Sequence, residues 1–259
     1  MKRSPVSWAR DWVSLTWLRF RELLGAARQD RLVWTGLIVL VSIDLVFSLW
    51  FAGTRLLYNM EINQSLYELK FLRIDADGGW PEWYSYAKTL VLILLLGRMA
   101  LSTRQLIYFA LVLVFGIVLL DDSLEIHEDL GKHLVGVLDL RPMLGVRARD
   151  VGEVITWAVM GAFALPFVIV GFAFSKRTHV ANGLALLLPF GALLFFAIFV
   201  DQVYHILRDL FFGADIILAT LEDGGEMLAI SLECALAAVL VRDRSRQVAQ
   251  PHRPRECRP

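Results

Sequence analysis

Six stretches of this chain are apolar for long enough to cross a lipid bilayer, and nothing else in it constrains the fold as tightly. A membrane-spanning helix needs about 20 mostly apolar residues. The stretches run from about Leu32 to Phe51, from Pro81 to Leu101, from Gln105 into the acidic segment DDSLEIHE, from Asp150 to Phe174, from His179 to Asp201 with a continuation to Arg208, and from Ala214 to Val241. The expected fold class is therefore all-α: a polytopic membrane helix bundle of about six spans. Composition agrees. Hydrophobic residues make up 57% of the chain and mean hydropathy is +0.56, against roughly 45–50% apolar in ordinary soluble domains. Such a balance excludes a soluble enzyme, a disordered chain and a broad basic surface for nucleic acid. Two cysteines, Cys234 in a span and Cys257 near the end, exclude a disulfide scaffold.

Lysine and arginine set the expected orientation. With the N-terminus and C-terminus both cytoplasmic, 17 of the 26 basic residues fall on cytoplasmic segments together with only five of the 26 acids. The formal net charge of zero thus divides into a basic cytoplasmic side and an acidic remainder. A bacterial-type inner (plasma) membrane is the expected location. Residues 1–31 read as an amphipathic interfacial helix, because Val6, Val13, Trp17, Phe20 and Leu24 recur at intervals of three, four or seven, with Trp8 and Trp12 nearby. Packing of that helix on other protein is the alternative. Residues 32–241 form the transmembrane domain, and 242–259 a basic disordered tail near anionic lipid. An outer loop spans about 52–79, with a short surface helix expected in LYNMEINQSLYELKFL. Pro81 suits a first helical turn, and Trp80, Trp83, Tyr84 and Tyr86 read as an interfacial aromatic belt. Asp75, Asp77 and Gly78 do not fit the frame of a calcium loop, since Arg73 and Tyr84 would fill the outer ligand positions.

The acids inside the spans carry the functional signal, because an ionisable group in a span costs about 2.5–3.5 kcal/mol by insertion scales and usually faces protein or a watery cavity. In a continuous third span, Asp121, Glu125 and Glu128 share one face at i, i+4, i+7, flanked by Asp122 and Asp129. His127 points elsewhere and reaches that face only if the helix breaks. In the sixth span Glu222, Glu226 and Glu233 form one stripe, extended by Asp215 and flanked by Asp223, with Gly224 and Gly225 allowing close backbone approach or a distortion. Asp201 and His205 share a face of the fifth span, Asp150 and Glu153 one of the fourth, and Asp44 stands alone in the first. Under the expected orientation four of these sets lie at one depth, in the outer half of the bundle.

Carboxylates at one depth repel unless protons or a cation neutralise them. With histidine they suit a divalent metal: Fe, Mn, Zn, Mg or Ca. The expected ligands are Asp121, Glu125, Glu128, His205, Glu222 and Glu226, with Asp201 and Glu153 as a general base or supporting groups. The competing reading is a carboxylate network that only orders the bundle, partnered by Lys88, Lys132, Arg147, Arg149 or Arg208. Glu-x-x-His pairs of di-iron bundles are absent. The segment from Asp121 to Glu125 approaches the acidic motif of prenyl-transfer enzymes, but it ends in Glu and has no clear second copy. Three functions follow. One is a metal-dependent membrane hydrolase or oxidoreductase acting on a lipid or other amphiphile. Another is a cation or proton transporter or channel, with Glu233 the main polar group of the inner half. The third is a non-catalytic membrane subunit or sensor. Membrane lipid is the expected partner, and nucleic acid is not.

Overall fold

The computed structural model describes residues 5–142 and 146–249, with side chains described from Asp11 onward. The side chains of Val6 and Trp8, and His252, Cys257 and the end of the basic tail, lie outside the described residues. The long elements of the described chain are all helices: α1 (Pro5–Gln29), α2 (Arg31–Asn59), α3 (Trp80–Thr103), α4 (Leu106–Leu124), α5 (Ile126–Leu138), α6 (Ala148–Phe174), α7 (Arg177–Leu194), α8 (Asp201–Leu207) and α9 (Ala214–Ala249). A π-helical stretch, Phe195–Val200, joins α7 to α8. Taking α7 to α8 as one unit, six helices are long and apolar enough to cross a membrane. The chain is a multi-span, integral membrane type.

Local chemistry places the boundaries. Asp30 caps α2, its carboxylate accepting the amides of Leu32 at 3.2 Å and Val33 at 3.4 Å. The helix continues past Phe51 to Asn59 because Arg55 and Asn59 both find Asp215 at the start of α9. That extension takes in Leu57, Tyr58 and Asn59, the first residues of the helix expected in the outer loop, and the rest of that stretch forms turns and a 3-10 helix at Lys70–Leu72. α9 likewise runs past Val241, so 242–249 are helical.

α9 is the central post. Most of its apolar length is buried, and α2, α3 and α7 pack around it. Glycine permits the closest approaches. A Cβ on Gly224 would meet the Ser48 hydroxyl at 2.9 Å, and one on Gly225 would enter the Phe196 ring. α9 itself stays regular there; the distortion falls on its neighbour, the π stretch that carries Phe196.

One polar link crosses the apolar interior. The Lys88 ammonium lies 2.7 Å from Asp44 and donates to the Met227 carbonyl at 2.9 Å, while Ser231 donates to the other Asp44 oxygen at 2.6 Å. Asp44 is therefore a helix–helix tie joining α2, α3 and α9.

α1 divides its apolar face. Leu23 and Ala27 are buried against the bundle and Arg19 donates to Asn182 at 2.6 Å, whereas Val13 is 70% exposed and Trp17 is also exposed. Its carboxyl-terminal half packs on protein and its exposed apolar residues face outward.

Candidate functional site

The expected continuous third span breaks at Glu125, which takes the left-handed conformation at φ 50°. α4 stops at Leu124 and α5 starts a new direction at Ile126. The i, i+4, i+7 stripe therefore does not form. Asp121 turns inward instead: it is fully buried, and its two oxygens take the backbone N–H and the ring Nδ1 of His127, each at 2.8 Å. Glu125 offers no side-chain cap to α5, so Asp121 satisfies one of the free amides at that helix start. The break also swings His127 to the site that a straight helix would deny it, where its ring lies 5.5 Å from that of Trp157.

The break opens into a cavity of about 470 Å³ at one end of the bundle. Eleven carboxylates line it: Asp75, Asp77, Glu82, Asp122, Glu125, Glu128, Glu153, Asp201, Glu222, Asp223 and Glu226. His127, His205, Arg147 and Arg149 are its basic groups, and Tyr86, Trp157 and Tyr204 its aromatic ones. Of the groups expected from sequence, Glu125, Glu128, Glu153, Asp201, His205, Glu222 and Glu226 reach this wall, and Asp121 does not. Asp215 is diverted by Arg55, 2.8 Å away.

The walls differ in charge. On the α5–α6 side the acids are compensated: Arg149 bonds Glu153 at 2.7 Å and also Glu128, which Lys132 reaches at 3.2 Å. Arg147 grips buried Asp150 at 2.7 Å. This hydrogen bond outweighs burial and holds its guanidinium above its ordinary pKa. These are the pairs of the bundle-ordering reading, and they tie α6 to its own first turn and to α5. Gly131 and Gly152 bring α5 and α6 into backbone contact there, a Cβ on Gly152 lying 2.9 Å from the Gly131 Cα.

On the α9 side the acids are uncompensated. Glu222, Asp223, Glu226 and Asp122 form no ion pair with any described cation. Glu222 and Asp201 line the same cavity, so two carboxyl groups of α8 and α9 share one wall region. Asp201 also stands 3.2 Å from His205 Nε2. That nitrogen is 2.8 Å from Arg147, which can only donate. It cannot accept from Arg147 and donate to Asp201 together, and the shorter contact selects the acceptor role. His205 Nδ1 is buried without a partner. For His127, burial pushes the imidazole down, and the Asp121 hydrogen bond with the charges of Asp121, Asp122 and Glu153 outweighs it, leaving the ring above its ordinary value.

Sequence reasoning missed Asp122, Glu82, Asp75 and Asp77 as lining groups. Glu82 is held by Tyr86 and the Gly78 amide. Asp75 is held by Arg73 at 2.7 Å and by Tyr67 at 3.1 Å. Among the described residues, no three His, Cys, Asp or Glu side chains converge closely enough to hold a metal ion directly.

A family model described as a domain of unknown function, DUF8692, matches residues 39–240, and the chain belongs to that family. The match begins inside α2 and ends inside α9, so it takes in the whole cavity and leaves α1 outside. No curated protein and no solved structure matches the chain.

Proposed function

We propose that this member of the family binds a divalent cation in its acid-lined cavity and uses it in a reaction on a lipid or other amphiphile. The observation that carries the reading is the α9 wall: Glu222, Asp223 and Glu226 line the cavity together with Asp122 and Asp201, and none of the three α9 acids pairs with a described cation. Such a set takes up protons or a cation. Oxygen donors favour Mg, Ca or Mn, and His127 brings Fe or Zn within range. The donors are spread, which suits an ion that keeps part of its water shell and is held partly through it, as magnesium commonly is. Glu125, Glu128, Glu222 and Glu226 are the proposed holders. His205 would join them only by releasing Arg147, and Asp121 acts through His127.

A bound divalent ion would supply an activated water or polarise a phosphoryl or carbonyl oxygen. Asp201 or Glu153 would take the proton. The cavity is far larger than an ion needs and falls in the range of small-molecule sites. With the basic end of the bundle in the cytoplasm, this cavity opens on the opposite side.

Elemental analysis of the purified protein tests the reading. One or two divalent ions per chain are expected in the wild type and fewer in Glu226→Gln. A metal-free wild type that gains no divalent ion on titration, with Glu226→Gln equally folded, would overturn it. A second reading, proton or cation passage, rests on Glu233. That carboxyl is fully buried seven residues inward from Glu226 with neither oxygen hydrogen-bonded. Proteoliposome flux that vanishes in Glu233→Ala would favour it.

A further inference from the structure

At the end of the bundle opposite the acid cavity, the last turns of α3 and α9 enclose a second cavity of about 360 Å³. From Glu222 to Arg244 along α9 is roughly 33 Å at 1.5 Å per residue, so the two cavities are separate sites. Arg98 and Arg244 supply the charge of the second, and Met99, Val241 and Val248 its apolar surface.

The acids at this end are already engaged. Asp30 takes Arg242 at 2.6 Å and Arg246 at 2.7 Å, Asp243 also faces Arg246, and Glu22 takes Arg19 at 2.9 Å. Arg98 and Arg244 have no carboxylate partner among the described residues. Arg244 makes one long donation, to the Ser102 carbonyl at 3.4 Å, and its buried Nε has no partner. Two guanidiniums lining one pocket with donor capacity unused fit the planar bidentate recognition of phosphate. The apolar surface beside it fits no free inorganic ion. Val248 is 65% exposed there, at the level where the apolar length of the helices gives way to charge.

We propose that this pocket binds the phosphate of an anionic membrane lipid, with Arg98 and Arg244 on the phosphate and Met99, Val241 and Val248 against the glycerol and upper acyl chain. The chemistry is shared with a free phosphate, and the apolar wall selects the lipid. The site stands independently of whatever occupies the acid cavity.

Native mass spectrometry of the full-length protein in detergent, titrated with phosphatidylglycerol, phosphatidylcholine or inorganic phosphate, tests this. One retained phosphatidylglycerol is expected, with at least tenfold weaker retention of phosphatidylcholine. The double variant Arg98→Gln/Arg244→Gln should weaken phosphatidylglycerol binding about tenfold. Arg244→Lys, which keeps the charge and protects folding, should weaken it severalfold through loss of the fork. Arg104→Gln, exposed at the same end but outside the pocket, should leave it unchanged. Equal weakening by Arg104→Gln would show mere surface attraction and overturn the proposal. So would equal retention of phosphatidylcholine, or displacement of the lipid by equimolar inorganic phosphate.

Discussion

Replacing Lys88 by methionine removes a cation from a place where water cannot follow. Lys88 is 3% exposed and Asp44 is fully buried. The substitution deletes the 2.7 Å contact to Asp44 and leaves the Met227 carbonyl without the ammonium donor. Asp44 keeps only the Ser231 hydroxyl. Breaking a buried pair by removing one partner costs about 3–5 kcal/mol, because the other charge remains uncompensated. Methionine retains most of the volume, so cavity formation adds little. Lys88→Met should therefore lose about 3–5 kcal/mol. Adding Asp44→Leu removes the stranded charge, and the double variant should recover most of that loss, since apolar replacement of a whole buried pair is often neutral. Reversible unfolding in mixed micelles with increasing dodecyl sulfate, followed by far-UV circular dichroism, gives both values on one scale. A Lys88→Met protein within about 0.5 kcal/mol of wild type would refute the reasoning, being no more than an ordinary surface change. A double variant as unstable as the single one would refute it too, because the cost would then not come from the orphaned carboxylate.

Gly152→Ala should separate α5 from α6 and cost about 1–3 kcal/mol by overpacking, since the new methyl would meet the Gly131 backbone; unchanged stability in the same micelle titration would show that the two helices shift freely. His127 should titrate above about 6.5, and its contribution to stability should be complete below that pH and fade as pH rises through the higher folded value. Asp121→Asn should bring the titration down, as followed by the imidazole carbon protons in NMR, and a wild-type value at or below the ordinary one would contradict the Asp121 contact. Tyr67, buried between Arg55, Arg73 and Asp75, should ionise only near pH 12, burial being the leading cause and the Asp75 charge the next; ultraviolet difference titration against Tyr67→Phe reads this, and a missing component near pH 10 instead would exclude it.

The spans were legible because length and apolarity alone identify them, and chain chemistry such as the Asp30 cap adds only the boundaries. The site was legible in its outline. Glu222 and Glu226 on α9 face the cavity as their spacing predicts, and Arg147, Arg149, Lys132 and Lys88 are partners as their number and position allow. The α4–α5 break was not legible. A glutamate in left-handed conformation has no sequence signature, and nothing in DDSLEIHE distinguishes a turn from one more turn of helix. That single residue redirects everything after it and brings His127 back onto Asp121, leaving Asp122 on the cavity wall. Asp223 flanks the stripe by spacing, yet α9 is enclosed by its neighbours, so its flanks face protein and cavity as well. Asp215 fits the stripe by spacing, yet Arg55 sits on a helix extension that apolar length did not foresee.

The π stretch Phe195–Val200 separates two tasks within one span. A π turn holds more residues than an α turn, so every side chain beyond it is rotated relative to an uninterrupted helix. The stem of the span, Arg177–Leu194, can follow the packing demands of α4 and α9 while the tip that bears Asp201 and His205 is aimed independently. Removing one residue from 195–200 would leave the stem seated and turn the tip by about 100°, and with it one whole wall of the cavity. The span therefore behaves as a rod with a set-screw: its grip and its aim are adjusted by different residues.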